Sequence, residues 1–416
     1  MSDEILINIT PPETRVAIVE NGVLQEILIE RTRRRGLVGN IYKGKICRIL
    51  PGMQAAFVDV GLERAAFLHV SDLCPSVREK AIDDQIELVI RDGQELLVQV
   101  VKDPLGTKGA RLTTELAIPS VYLVYMPQAR SGGVSQRIES EPERLRLRHI
   151  VDAFQKEHGT GGFIARTAAE GIDEASLRAD MQFLVKLWNS ISQRQRTAKP
   201  KTLLHEDLPL SMRVLRDMHC ERVEKIRVDS RETYSRLNKF VREFVPELSA
   251  RLEHYSGERP LFDLYGVEDE IQRALERRVA LKSGGYLIFD QTEAMTTIDV
   301  NTGAFVGGRN LEETIFKTNL EAAQAIARQL RIRNLGGIII IDFIDMRDPE
   351  HREQVLQSLQ RSLEKDHAKS AISEVSSLGL VQMTRKRTRE SLEHILCEAC
   401  PACSGRGVLK TPETVC

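Results

Sequence analysis

The sequence predicts a multidomain protein of mixed α+β and α/β class, and three observations carry that expectation. Its 416 residues are enough for about two to four domains, each with a core of its own. Residues 39–114 read as five short strands separated by turn residues, the pattern of a small barrel. Beyond residue 285, β-branched apolar runs alternate with long helical periodicities, the pattern of an α/β sheet.

Taken in order, residues 4–10 and 14–29 alternate as strands around Pro11-Pro12 and Asn21-Gly22; Asn-Gly between apolar alternations is a hairpin signal. Strands follow at 39–48, 54–60, 64–69, 94–102 and 110–114, with turn residues at Pro51-Gly52, Gly61 and Asp103-Pro104-Leu105-Gly106. Residues 75–93 form a polar interruption. The strand signal continues at 119–126. Helical periodicity covers 141–158, a strand 163–166, and an acid-capped helix 173–196. Residues 197–202 make a plausible boundary. Helices are then expected at 205–225, 231–246 and 264–281, strands at 285–290 and 295–301, a helix at 311–333, a strand at 337–344, a helix at 350–366 and a strand near 378–384.

Hydrophobic residues make up 42% and charged residues 29%, as in soluble globular proteins. No run approaches the roughly 18 apolar residues of a membrane span, and the N-terminus reads as no signal peptide. The seven cysteines are an odd number, and three of them fall at 397, 400 and 403. That favours a reducing, cytoplasmic setting with a metal site over a disulfide framework. The net charge of −1 points to no polyanion, but its distribution does: seven basic and no acidic residues lie between Arg31 and Leu50, and four of five residues from Arg385 to Arg389 are basic. Such patches are what a nucleic acid meets.

Four groups of residues carry chemistry. The runs Thr296-Thr297-Ile298-Asp299-Val300-Asn301 and Ile338-Ile339-Ile340-Ile341-Asp342 each deliver a carboxylate along an apolar strand. Side by side, they converge Asp299 and Asp342 into a donor set suited to Mg²⁺; apart, they are two solvated acids. In the barrel, Phe57 and Phe67 sit among small neighbours with Lys43, Lys45, Lys102 and Lys108 near in sequence. Aromatics beside lysines hold single strands, although both rings are equally readable as barrel core. Arg137, and Arg166-Thr167 at a strand end, offer guanidinium forks and a hydroxyl for a terminal phosphate, or ordinary surface ion pairs. Finally, Cys397-Glu398-Ala399-Cys400-Pro401-Ala402-Cys403 suits Zn²⁺. The site is either shared by Cys400 and Cys403 of two chains, or closed within one chain by His394, Cys397, Cys400 and Cys403; a redox pair is the third reading.

The motifs Gly39-Asn40-Ile41-Tyr42-Lys43-Gly44, Gln54-Ala55-Ala56-Phe57-Val58-Asp59, Thr107-Lys108-Gly109-Ala110-Arg111-Leu112-Thr113-Thr114, Thr297-Ile298-Asp299-Val300-Asn301, Ile341-Asp342-Phe343-Ile344-Asp345-Met346 and Cys400-Pro401-Ala402-Cys403 run in order along nearly the whole chain. Together they resemble the bacterial ribonuclease E/G family, more its ribonuclease G branch than its ribonuclease E branch. The resemblance implies an RNase H-like structural domain from 1–36 and 205–282, an S1-type OB-fold RNA-binding domain at 37–118, and a 5′-sensor domain at 119–204. It also implies a DNase I-like catalytic domain at 283–395 and a zinc link at 396–416.

The same resemblance implies roles for particular residues. Asp299 and Asp342 match the Mg²⁺ ligands, and Asn301 the side chain that orients the first of them. Phe57, Phe67 and Lys108 match positions that hold RNA near the scissile bond. Arg137, Arg166 and Thr167 match the pocket for a 5′-monophosphate. Lys369 stands where an arginine is expected, keeping the charge without the planar fork. Cys400 and Cys403 match the cysteines of a zinc link that joins a homodimer. The implied activity is Mg²⁺-dependent endonucleolytic cleavage of single-stranded, A/U-rich RNA, faster on 5′-monophosphorylated ends and leaving 5′-phosphate and 3′-hydroxyl. Maturation of ribosomal RNA 5′ ends and messenger decay are the implied tasks. Family members continue beyond Cys416 into a small domain, so the chain reads as a fragment or a short homologue. A non-catalytic RNA-binding or ribosome-assembly protein is the alternative, since it needs the barrel but not the Asp pair; a zinc-linked scaffold needs neither.

Overall fold

The structure, a computed structural model, describes every residue except 1–2, 34, 79–84, 105–107, 130, 160, 218–222, 304–310, 365, 367, 377–378, 388, 404, 406 and 408–416. The chain divides into two compact units: residues 1–8, 15–29 and 255–416 form one, and 9–14 and 30–254 the other.

The second unit holds the barrel. Strands Ile41–Leu50, Ala55–Asp59, Ala66–His69, Arg111–Thr113 and Glu95–Lys102 pair in that order, and the first also pairs with the last, from Ile41 opposite Gln99 to Lys45 opposite Glu95. The five strands therefore close on themselves into an OB-like barrel, which removes the exposed edges of an open sheet. Its interior is Ile46, Ala56, Val58, Ala66, Leu68, Val98, Val100 and Leu112. Gly44 is required there: a Cβ would sit 2.6 Å from Val58 Cγ1. Strand Thr202–His205, absent from the expected elements, lies against the barrel strand Ile41–Leu50.

The same unit contains a small sheet in the order Gly133–Val134, Gly162–Ala165, Leu123–Met126, Ile118–Pro119. Helix Glu141–His158 has Leu147, Ile150, Val151 and Phe154 buried on one stripe, and helix Glu174–Thr197 has Leu177, Met181, Leu184 and Ile191. The helical reading of 205–225 is corrected. Among the described residues of this stretch only Leu210–Asp217 is helical, and Val223–Val228 is a strand beside Leu252–His254. Val223, Ile226 and Val228 alternate with charged residues over too few positions for the sequence to separate period 2 from period 3.6.

The first unit holds most of a hairpin of Glu13–Glu20 and Val23–Arg31 turned by Asn21 (φ 50°) and Gly22 (φ 76°), the paired positive angles of a type I′ turn. Its larger sheet has the order Arg278–Ala280, Tyr286–Gln291, Met295–Asn301, Gly337–Asp342, Leu380–Arg385, Ser370–Val375. Helices Leu311–Ile332 and Pro349–Leu363 pack on one face, where Leu287, Phe289, Ile298, Val300, Ile339 and Ile341 join their apolar stripes. Residues of the other parity, among them Asp299, Ile338, Asp342 and Gln382, are exposed. The helical reading of 264–281 is corrected at its end, where Val267–Leu275 is helical but Arg278–Ala280 is an edge strand, and the other edge strand, Ser370–Val375, was not found; three to six residues with one buried face carry little pattern.

Candidate functional site

The parallel pairing of Met295–Asn301 with Gly337–Asp342 sets Asp299 directly opposite Asp342. Ile298 and Ile341, one residue earlier on each strand, point into the helix-packed core. Both carboxylates therefore stand on the open face as neighbours. Asn301, two residues on and on the same face, donates from Nδ2 to Asp299 Oδ2 at 2.8 Å. The Asp342 carboxyl is held above its ordinary value by partial burial and by the negative charges of Asp299 and Asp345. Among the described residues, neither Asp299 nor Asp342 has a basic partner. Uncompensated negative charge of this kind favours a hard divalent cation. Two carboxylates match how Mg²⁺ is held by proteins, with water completing its shell. No cluster of three or more His, Cys, Asp or Glu side chains suited to a metal occurs among the described residues.

On the barrel, Phe57 and Phe67 are neither core nor free. Their strand neighbours Ala56, Val58, Ala66 and Leu68 fill the interior, and the two rings face outward, half-buried. They oppose each other in register and meet edge to face at 6.2 Å between centroids; His69 stacks beside Phe67 at 6.4 Å. The register continues the row on both sides: Arg48 opposes Phe57, Arg111 opposes Phe67, and Lys102 opposes Arg111. Two aromatic faces flanked by cations are an arrangement that would suit unpaired bases and their phosphates. Arg111 is steadied by a fork on Asp72, at 2.8 and 3.1 Å. Lys108 is exposed next to this row. It is placed by Gly109, where a Cβ would lie 2.2 Å from Ala65 O. Lys43 does not join the row: its Nζ donates to the carbonyls of Gln195 and Ala198 and pairs with Glu95. Phe67→Ala should weaken single-stranded RNA binding by about 1–3 kcal/mol, read by fluorescence anisotropy. Unchanged affinity would return both rings to a packing role.

In the small sheet, Gly133–Val134 runs parallel to Gly162–Ala165, so the segments that follow them emerge at the same end. One delivers Arg137, which is exposed, and the other Arg166 and Thr167, which are half-buried; the N–H of Ser135 donates to Ala165 O at 2.8 Å between them. Arg166 is already oriented. Its Nη1 donates to the carbonyls of Ser120 and Val121, and its Nη2 to Asp217 Oδ1 at 2.7 Å. Burial opposes ionisation of Asp217, but the guanidiniums of Arg216 and Arg166 hold its carboxyl below the ordinary value. Behind the carbonyl pair, buried Asp180 accepts from Ser120 Oγ at 2.5 Å and from Tyr122 N at 3.3 Å; burial pushes it up to about 6. Lys369 belongs to the other unit, exposed and just before strand Ser370–Val375. Sequence reading missed Arg48, Arg111, Asp180 and Asp217, whose roles come from cross-strand register and long-range pairing.

Cys397 and Cys400 are exposed and Cys403 is partly buried, all as free thiols. Hydrogen bonds from the Cys403 and Ala402 backbone and from the Cys403 thiol pull the Cys400 thiol down, and Gly407 N donates to Cys403 Sγ at 3.3 Å. His394 lies instead beside Glu390, at 3.5 Å. The four-ligand site within one chain is therefore not assembled among the described residues. No described helix is long and apolar enough to cross a membrane.

A family model described as the ribonuclease E/G family matches residues 117–388. The chain is 60% identical to Ribonuclease G of Salmonella typhimurium strain SL1344, over all of this chain and 86% of that protein. It is 57% identical to Ribonuclease G of Haemophilus influenzae, over 99% of this chain and 85% of that one. Against Ribonuclease E of Escherichia coli K12 the identity is 38%, over 99% of this chain and 39% of the longer protein.

Proposed function

The chain belongs to the ribonuclease E/G family and is an endoribonuclease, and from that premise we propose that it cuts single-stranded RNA at the Asp299–Asp342 pair with Mg²⁺ as cofactor, preferring 5′-monophosphorylated substrates. The observation that carries this reading is the register match of Asp299 with Asp342 on adjacent parallel strands. Mg²⁺ held there would supply positive charge to the phosphorane-like transition state and acidify an attacking water. Asn301 keeps the Asp299 carboxylate in one orientation. Phe57 and Phe67, with Lys108, stack the unpaired bases and hold the backbone, which restricts the substrate to single strands. The products carry 5′-phosphate and 3′-hydroxyl ends, and A/U-rich sites are preferred. Arg137, Arg166 and Thr167 take the terminal phosphate. Ribosomal RNA 5′-end maturation and messenger decay in the cytoplasm are the proposed tasks. Zn²⁺ shared by Cys400 and Cys403 of two chains would join a homodimer, so metal analysis should find about half a zinc per chain; one per chain would exclude sharing.

The test is a short unstructured RNA, 5′-monophosphorylated or 5′-hydroxylated, incubated with the chain in Mg²⁺ or EDTA. Internal cuts that need Mg²⁺ and are faster on the monophosphate are expected. Arg166→Ala should erase most of that preference, since charge-assisted hydrogen bonds contribute about 1.5–3 kcal/mol. An equal loss on both substrates would remove the sensor role. Binding without cuts would favour the non-catalytic RNA-binding reading.

A further inference from the structure

The open face of the larger sheet carries a second feature in line with the carboxylate pair. Register aligns Arg278 with Ile288, Ile288 with Asp299, and Asp299 with Asp342. Arg278 therefore stands on the same face, two strands from Asp299 and about 10 Å away between backbones. Tyr286, on the intervening strand, opposes Asn301. The buried parity of this strand is Leu287 and Phe289, so Tyr286 shares the open face with Asp299 and Asn301.

Arg278 and Tyr286 form one unit. The guanidinium carbon lies 4.0 Å from the centroid of the ring, and Gly303, at φ +59°, brings its backbone against the same ring, where a Cβ would lie 3.4 Å from Tyr286 Cδ1. The neighbouring Arg277 is neutralised by a fork on Asp290. Arg278 is not: it is exposed, and among the described residues it has no carboxylate partner. An arginine held over an aromatic ring can keep its outer side for a base and its N–H edges for a phosphate. A structural ion pair needs neither freedom.

We propose that Arg278 and Tyr286 form a subsite for the nucleotide flanking the scissile phosphate, its base stacked on the guanidinium–ring pair and its phosphate taken by the N–H edge of Arg278. The inference rests on the Asp pair being the cutting site. Charge complementarity and continuity of one strand row with Asp299 and Asp342 select single-stranded RNA as the occupant. Both residues are positioning residues: they hold the chain so that the bond to be cut meets the carboxylate pair.

The experiment compares the full chain with Tyr286→Leu, Tyr286→Phe, Arg278→Ala and Arg278→Lys on one short RNA with a single cut site, intact or abasic at one nucleotide on either side of that site. Tyr286→Leu and Arg278→Ala should each lower kcat/KM roughly tenfold, Tyr286→Phe should retain activity, and Arg278→Lys should fall between. With the unsubstituted chain, one abasic position should cost a similar factor, and that penalty should vanish in Tyr286→Leu. A role in sheet stability alone would leave the abasic penalty intact in every variant, and that result overturns the subsite. A chain that cuts normally after Asp299→Asn overturns the reading of the Asp pair, and the subsite with it.

Discussion

Asp342→Asn, and separately Asp299→Asn, should abolish RNA cleavage while leaving RNA affinity within a fewfold of the parent. Each substitution is nearly isosteric and removes one of the two charges that the register brings together. The change is electrostatic, and a bound metal's contribution of several kcal/mol to the transition state corresponds to on the order of 10³-fold or more in rate. Asp342→Asn also relieves the repulsion that now raises its own carboxyl, so the variant should fold at least as well. Single-turnover cleavage and anisotropy on the same RNA separate the two quantities. Full cutting by either variant would remove the metal-site assignment, and loss of binding in parallel with cutting would mean the pair acts through RNA capture.

Arg385→Ala should cost about 3–5 kcal/mol of stability. Arg385 and Asp366 are each only 4% exposed. The guanidinium forks the carboxylate at 2.6 and 3.1 Å and donates from Nη1 to Leu335 O at 2.7 Å. Removing the arginine strands a buried carboxylate and a buried carbonyl at once. Arg385 also opposes Gly337 at the start of the strand that ends in Asp342, so the loosened register should reduce cleavage as well. Denaturant unfolding of Arg385→Ala against Arg385→Met/Asp366→Leu reads the effect. The double variant should recover most of the loss, because an apolar pair leaves no charge unpaired. A single variant within about 1 kcal/mol of the parent would show that water already reaches Asp366.

Long elements were legible from periodicity. Helices Glu141–His158 and Leu311–Ile332 have enough turns for an apolar stripe to declare itself, and the barrel strands were found because turn residues punctuate them. What failed was short: Val223–Val228 and Arg278–Ala280 were read as helix, and Ser370–Val375 was not found. Such segments owe their conformation to a neighbour's hydrogen bonds rather than to local pattern. The residue types of the site followed the same division. Asp299, Asp342 and the aromatic pair were visible as chemistry in a local context. The commitment of Lys43 to the carbonyls of Gln195 and Ala198 was not, since its partners lie 152 and 155 residues away.

The sequence alone therefore determined the strand that carries each carboxylate and the barrel that carries Phe57 and Phe67. These depend on side-chain chemistry and on periodicity over a few residues. Tertiary structure decided which groups meet. Parallel register set Asp299 opposite Asp342, barrel closure turned two phenylalanines outward between Arg48 and Arg111, and the pairing of Arg278–Ala280 put Arg278 in the carboxylate row. Register is a property of two strands at once. A shift of one residue on either strand would send these side chains to the opposite face, and only the packed core on the other side of the sheet specifies which alignment wins.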